Sequence, residues 1–509
     1  MNLKIDYWLP IILISLAGLL IFSTEKTEGG FIPGGLYSGV SVHGVTISKN
    51  LLNSEHPLFM FAGRELQDNK ILYDAYNRFP VFPFIITGLI IYPFNYNFSL
   101  QVYVARQVMN LFFFLSFLMG YILTKELIKN KYLALIVAML TFSSYYMLTY
   151  NNFIFNDIPA LFGFTIALYG VIIASKRKLN FKQILLFSFI PITFGWQPYS
   201  VYGIWFLVDI LELFTEKGIS FKVKILSLLK QTSFKVLILS VIWGICILGF
   251  QLLNEWRIVG GEFIELPSVS SALWRSGLSS ASGHTQFIWL FDWLNYLPAQ
   301  AQSVMINLIP FWSIFQVNVG TNASVFLIIS FIIYVFLRYF KNRNIVNKMY
   351  LVLILSGLPW IILMKQFVAM HEFQSIFYLG FTICIYTLLL SKINLKSIKL
   401  LAINVTLFFL INVALSNHLK TPHSGMNQLA KELEPISKLL PQDSKIFFDG
   451  NRKNIEGFSD YAIDIFFIQC IFTEKNEADY AVSKDPQHGG KKMTNNSGYN
   501  LFKLDEFNY

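Results

Sequence analysis

The run YDAYNRFPVFPFIITGLIIYPF, residues 73–94, decides how this chain folds. Its first half gathers tyrosines, an aspartate and an arginine. Its second half is oily and punctuated by proline. Read as a membrane span, it reverses the sidedness of everything downstream. Read as a short helix lying on the membrane surface, it leaves a long polar loop on one face.

The surrounding chain is apolar throughout. It has 509 residues, 54% hydrophobic and 14% charged, with mean hydropathy +0.52. A soluble fold cannot hide that much apolar surface, so the composition predicts an α-helical polytopic membrane protein. The net charge of +10 is not a nucleic-acid footprint, because many lysines and arginines fall in short loops between oily runs. The cysteines, Cys246, Cys384 and Cys470, have no metal-ligand spacing and allow at most one disulfide. Lys4 followed by YWLPIILISLAGLLIF mimics a signal peptide, but no small-x-small cleavage site follows. It reads as an uncleaved first span.

A span needs about 20 mostly apolar residues. The runs 7–22, 102–123, 132–149, 157–174, 183–196, 199–214, 234–253, 322–340, 349–364, 376–391 and 399–416 qualify, which makes about eleven transmembrane helices. Two more runs, 81–98 and 300–316, are short, broken by proline and dotted with Asn and Gln. Five connecting loops are basic: KELIKNK (125–131), SKRKLNFK (175–182), EKGISFKVK (216–224), RYFKNRN (338–344) and SKINLKSIK (391–399). All five face the cytoplasm only if the N-terminus is cytoplasmic and both short runs stay outside as juxtamembrane helices. This arrangement puts loops 23–100 and 254–320, and a tail over 417–509, on the extracytoplasmic side. The expected domains are a membrane domain, 1–416, and a small C-terminal α/β soluble domain, 417–509. In the tail, SKIFFDG (444–450) and ADYAVSK (478–484) read as strands around a helix-like segment near YAIDIFFIQCIF.

Four stretches carry a resemblance. SVHGVTISKNLL (41–52) reads as a helix in the first outer loop and YNRFPVFPFIITGLI (76–90) as a surface helix led by proline. VYVARQVMNLFFFLSFLMGYILTKEL (102–127) reads as the second span, and TYNNFIFNDIPALFGFTIALYG (149–170) as the second outer loop and fourth span. Their order and sidedness resemble the GT-C glycosyltransferases, which include protein O-mannosyltransferases and aminoarabinose transferases. The likeness covers residues 1–180 and extends more loosely to 416.

The resemblance implies an integral enzyme of a bacterial inner or plasma membrane that uses a polyprenyl-phosphate sugar. The acceptor would be a glycan, lipid or protein. Such chemistry wants a carboxylate to take the acceptor's proton, and Arg, Lys or a divalent cation for the phosphate. Asp157 occupies the acidic position of the second outer loop; it equally suits the start of a helix, where an anion is favoured. His43 stands where the family has a carboxylate in the first loop, with Glu25, Glu28 and Glu55 nearby, and an imidazole can act as a base near neutral pH. Arg78 and Tyr76 at the membrane interface, Arg275 beside Trp274, and Lys365 with His371 are the candidates for holding phosphate or sugar. Each also suits anchoring at a lipid headgroup.

No Walker A, GxSxG, HExxH or CxxC motif occurs. Two other readings remain: an O-antigen polymerase or ligase, whose large loop is usually late in the chain, and a non-enzymatic carrier or flippase for lipid-linked glycans. The latter predicts polar residues through the spans.

Overall fold

The computed structural model describes the chain apart from residues 1, 24–37, 54–55, 57, 95–96, 217, 219, 277–285, 311–319, 366–367, 369–371, 392–396, 420–423, 450–453, 456–457, 460–465, 468, 486–490, 495–497 and 505–509. Among the described residues, six helical stretches are long and apolar enough to cross a bilayer: Phe98–Ile128, Asp157–Lys176, Thr232–Val259, Thr321–Lys341, Ile345–Leu363 and Ile398–Ser416. Shorter apolar helices, including Trp8–Ser23, Lys131–Phe142 and Phe181–Phe194, pack among them. The chain is an integral membrane protein, mostly helical, with a small sheet near its C-terminus.

The first thirteen helices among the described residues are α1 (Asn2–Ser23), α2 (Ser38–Asn53), α3 (Phe82–Ile91), α4 (Phe98–Ile128), α5 (Lys131–Phe142), α6 (Tyr145–Thr149), α7 (Asp157–Lys176), α8 (Phe181–Phe194), α9 (Pro198–Thr215), α10 (Phe221–Lys230), α11 (Thr232–Val259), α12 (Pro267–Ser276) and α13 (Gln286–Leu308). α4 packs on α5 and α7, α7 on α8 and α9, and α11 on α8 and α9. Phe113, Phe117 and Phe142 fill the α4–α5 seam edge to face. By contrast α11 leaves Ile242, Ile245 and Leu253 exposed. Such a surface is costly in water and at rest in hydrocarbon.

The opening stretch resolves into three pieces. Residues Phe61–Gln67 (β1) and Lys70–Ala75 (β2) form an antiparallel hairpin. Its two-residue turn, Asp68-Asn69, holds both residues at positive φ (50° and 60°). That turn matches the twist of paired strands, and Asp and Asn tolerate it. The chain then crosses Tyr76–Pro80 and enters α3, with Pro83 in its first turn, where a missing N–H costs nothing. α3 has 10 residues, roughly 15 Å at 1.5 Å per residue, half of a hydrocarbon core. It lies against α2 so closely that a Cβ on Gly88 would sit 2.4 Å from the Ser48 carbonyl oxygen.

The described residues of the five basic loops gather at one end of the bundle. Lys176 Nζ meets Glu126 at 2.9 Å, and Lys399 lies over the Tyr132 ring. Lys348 pairs with Asp209 at 2.5 Å and with Glu212, while Arg343 donates to Thr215 at 2.6 Å. A cavity of about 260 Å³ joins Ser175 to Asp209, Glu212, Arg343 and Lys348.

The remaining helices are α14 (Thr321–Lys341), α15 (Ile345–Leu355), α16 (Leu358–Leu363), α17 (Leu379–Leu390), α18 (Ile398–Leu419) and α19 (Ser424–Ser437). The C-terminal strands are β3 (Lys445–Phe448), β4 (Asn454–Ile455), β5 (Phe458–Ser459), β6 (Ile471–Phe472), β7 (Tyr480–Ser483), β8 (Lys491–Lys492) and β9 (Asn500–Lys503). Strands at 445–448 and 480–483 match the sequence reading. The segment between them differs, because its end forms β6 rather than helix. The β-branched and aromatic Ile471 and Phe472 sit parallel between β3 and β1. The sheet runs β2-β1-β6-β3-β7-β9-β8, so the first-loop hairpin and the tail share one set of hydrogen bonds. Arg64 on β1 pairs with Asp443 of the tail at 2.7 Å.

Candidate functional site

At the end of α7 away from the basic loops, Asp157 opens the helix with 1% of its surface exposed. The preceding loop, 150–156, is aromatic and amide-rich and folds under α2. Gly44 lets the α2 backbone touch it, since a Cβ there would lie 1.9 Å from the Ile154 carbonyl oxygen. Ile154 N–H donates to Ser41 Oγ at 3.3 Å. Gly44 is thus the reason its neighbour His43 reaches the site.

Asp157 is held from across the chain. Gln374 Nε2 donates to its Oδ1 at 2.6 Å. Trp360 Nε1 in turn donates to Gln374 Oε1 at 3.1 Å. The other carboxylate oxygen, Oδ2, is buried with no hydrogen-bond partner. Around it the same is true of both side-chain polar atoms of Asn156, of Gln197 Oε1 and of Ser375 Oγ. Gln197 Oε1 packs near Gly195 and Ala160, one turn along α7. Buried polar atoms are nearly always paired, so this cluster is able to receive a polar ligand or ordered water.

Two arginines face that place. Arg275, in the last turn of α12, interacts with Asp157, with Arg78 and with the hydroxyl of Tyr76. Burial, and then the charge of Arg78, lower its pKa to about 10, so it remains a cation at neutral pH. Its guanidinium lies 5.2 Å from the Phe79 ring centre. Arg78 lies 3.6 Å over the Tyr76 ring and donates to Ser271 Oγ of α12 at 2.5 Å. Tyr76 and Phe79 stack at 5.9 Å, and Phe155 closes their edges at 5.6 and 5.2 Å. Each cation–π contact contributes about 0.5–2 kcal/mol.

His43 packs edge-on to Tyr76 at 5.5 Å. Its Nε2 lies 3.7 Å from Asp74 Oδ2. Burial, reinforced by the charge of Arg78, lowers its pKa to about 4. At pH 7 the imidazole is therefore neutral.

Asp157, His43, Tyr76, Arg78 and Arg275 come together in this way. Lys365 is buried one step beyond α16. Its carbonyl accepts from Gln300 of α13 at 3.4 Å, and it is not among the groups that act on Arg275. His371, Glu25, Glu28 and Glu55 lie outside the described residues.

Three contributors escape a sequence reading. Asp74 stands in the opening stretch but looks like interface polarity until the hairpin turns it toward His43. Gln374 sits in an ordinary aromatic run, FQSIFY. Glu255 lies at the end of an apolar helix with no local signal. No group of three or more His, Cys, Asp or Glu that could hold a metal ion occurs among the described residues. The cationic side of the site is made of guanidinium.

No protein-family model matches the chain, and no curated protein does. Solved structures do. The oligosaccharyltransferase of Archaeoglobus fulgidus in its apo form superposes with a TM-score of 0.51 at 11% identity, over 93% of this chain and 65% of that one. The chain has the GT-C fold. The archaeal oligosaccharyltransferase AglB from Archaeoglobus fulgidus, in complex with an inhibitory peptide and a dolichol-phosphate, gives 0.50 at 13% identity over the same shares. ArnT from Cupriavidus metallidurans bound to undecaprenyl phosphate aligns over 96% of this chain and 97% of its own at 10% identity, with a TM-score of 0.43. The chain spans 65% of the length of the oligosaccharyltransferases it matches. Within the GT-C fold of this chain, α2, α3 and the 150–156 loop share one apolar cluster that includes Phe155, two residues before Asp157.

Proposed function

We propose that this GT-C-fold protein is a membrane glycosyltransferase that moves a sugar from a polyprenyl-phosphate donor to a glycan, lipid or protein acceptor on the extracytoplasmic side. The observation that carries the reading is a buried carboxylate with one unpartnered oxygen, Asp157, opposite a pair of ring-mounted arginines, Arg275 and Arg78. The archaeal oligosaccharyltransferase with the same fold was solved with a dolichol-phosphate bound, a ligand of the same chemical class.

In this reading the acceptor's hydroxyl or amine hydrogen-bonds to Asp157 Oδ2. The bond between the anomeric carbon and the phosphate oxygen breaks as the acceptor's bond to that carbon forms. The acceptor proton passes to Asp157, whose charge also opposes the positive charge developing on the sugar. Arg275 and Arg78 receive the charge of the departing lipid phosphate, which a planar fork of N–H donors matches. His43, neutral beside Asp74, accepts a hydrogen bond from sugar or acceptor and orients it. Lys365 and His371 contribute further contacts to the phosphate or sugar.

The N-terminus is cytoplasmic in this proposal and the site outside, because the basic loops gather at the opposite end of the bundle. Residues 417–509 form the acceptor-binding part. Their sheet continues into the hairpin that ends beside Asp74, which ties an acceptor held there to the reacting centre.

The test is transfer from labelled polyprenyl-phosphate sugars in membranes carrying wild type, Asp157→Asn or Arg275→Gln. The proposal expects transfer by wild type and a loss of at least a hundredfold in Asp157→Asn. Equal transfer by all three proteins would overturn it.

A further inference from the structure

One buried carboxylate takes no part in the reaction just described. Glu255, in the last turns of α11, has none of its surface exposed. Its Oε1 accepts the backbone N–H of Ser268 at 3.0 Å, in the first turn of α12. Its Oε2 accepts from Asn77 Nδ2 at 3.3 Å. One carboxylate therefore grips both elements that carry the arginines.

Each grip extends to its arginine. α12 has 10 residues; Glu255 stands at its N-terminus, where the free N–H groups and the helix dipole favour an anion. Arg275 is in the last turn of the same helix. Asn77 is equally well tied. Its Oδ1 accepts the Met60 N–H at 2.9 Å, and Gln251, one turn before Glu255, donates to the Phe79 carbonyl at 2.7 Å. The segment from Tyr76 to Phe79 is thereby pinned to α11, with Arg78 between the pinned residues. Arg78 then donates to Ser271 in the middle of α12, closing a loop of contacts from Glu255 through both elements and back.

We infer that Glu255 is a positioning residue that sets the spacing of Arg78 and Arg275, and so the fit of the site to the phosphate of a lipid-linked sugar donor. The inference rests on the proposed transferase reading for its ligand, but not for its geometry. A carboxylate is needed because both partners are donors. Glutamine keeps the size of the side chain yet offers only one acceptor oxygen and turns an N–H against the second donor, so it frees one element directly and, through the Arg78–Ser271 contact, loosens the other with it.

Two measurements on the full chain test this. The first is hydrogen exchange in detergent, comparing wild type with Glu255→Gln. Amides of 268–276 and of 76–79 are expected to lose protection together, by about tenfold, while α7 stays protected. Loss confined to one segment, or to neither, overturns the coupling.

The second is donor kinetics with a polyprenyl-phosphate sugar. Glu255→Gln is expected to raise KM for the donor about tenfold with kcat within about twofold, and Ser271→Ala to do the same more weakly. The Glu255→Gln/Arg275→Gln double variant is expected to be little worse than Arg275→Gln alone, because the two act as a unit. Additive effects, or a fall in kcat with KM unchanged, overturn the inference. Absence of transfer by wild type would instead sink the transferase reading, and the exchange experiment would still decide the role of Glu255. Should Glu255→Gln not fold, Asn77→Ala, which removes the contact to Glu255 Oε2 and leaves Glu255 in place, carries both measurements with the same expected and overturning outcomes.

Discussion

Gln374 Nε2 donates to Asp157 Oδ1 across 2.6 Å, joining two residues 217 positions apart. The contact engages one carboxylate oxygen, Oδ1, and leaves the other, Oδ2, buried without a hydrogen-bond partner. Because Trp360 holds the far end of the same amide, the orientation of Asp157 is set by residues from three separate stretches of chain rather than by its own rotamer.

Replacing Gln374 with Leu removes that restraint without touching the substrate. The expected outcome is a fall in kcat of about tenfold with donor KM nearly unchanged, measured as sugar transfer in membranes. A change confined to KM would mean that Gln374 binds donor instead.

Asp157→Asn keeps the Gln374 contact, since an amide oxygen still accepts. It removes the proton acceptor. Transfer is expected to fall by roughly 10²–10⁴ with the protein folded and extractable. Retained activity would move the base elsewhere, with Asp74 the next carboxylate to replace.

Arg275→Lys preserves charge but not the fork, and it loses the flat contact with Phe79. Donor KM is expected to rise about tenfold, and more steeply than for Arg78→Lys, whose guanidinium is also spent on Ser271. Competition by free polyprenyl phosphate reads the same change without turnover. Equal affinity in the lysine variant would show that only net charge matters.

His43 links the site to pH. Its pKa falls from 6.5 in an unfolded chain to about 4 in the fold, through burial and the Arg78 charge. The unfolded state thus binds the extra proton first as pH drops. Stability is complete above pH 6.5 and declines between 6.5 and 4, by on the order of 3 kcal/mol. Thermal unfolding in detergent over pH 4–7 should fall for wild type and be flatter for His43→Gln. Parallel curves for the two proteins would exclude His43 as the source.

Sidedness is tested at two exposed positions, Asp68 in the hairpin turn and Lys129 in the first basic loop. Cysteines placed there are expected to react with an impermeant thiol reagent from outside only at 68 and from the cytoplasm only at 129. Labelling of both from one side would contradict the orientation.

Hydropathy and charge are local, so they are written plainly along the chain. They mark α4, α7, α11 and α14 as spans and α3 as too short to cross. They group the loops at 125–131, 175–182 and 338–344 at one end, and they set Asp157 at the mouth of α7. None of this requires knowing what packs on what. The site itself is a matter of pairing at long range. That Arg78 meets α12 at Ser271, that Asp74 reaches His43, that Gln374 holds Asp157 and that Glu255 binds two loop elements all depend on which helix faces meet. Apolar stripes of similar strength leave many such choices open. The hairpin shows the same division: Asp68-Asn69 makes the turn, but only the finished sheet pairs Glu65 with Phe472, some four hundred residues away. Close approach at Gly44 and Gly88 and the satisfaction of buried polar groups decided those pairings, and both exist only once the backbone is assembled.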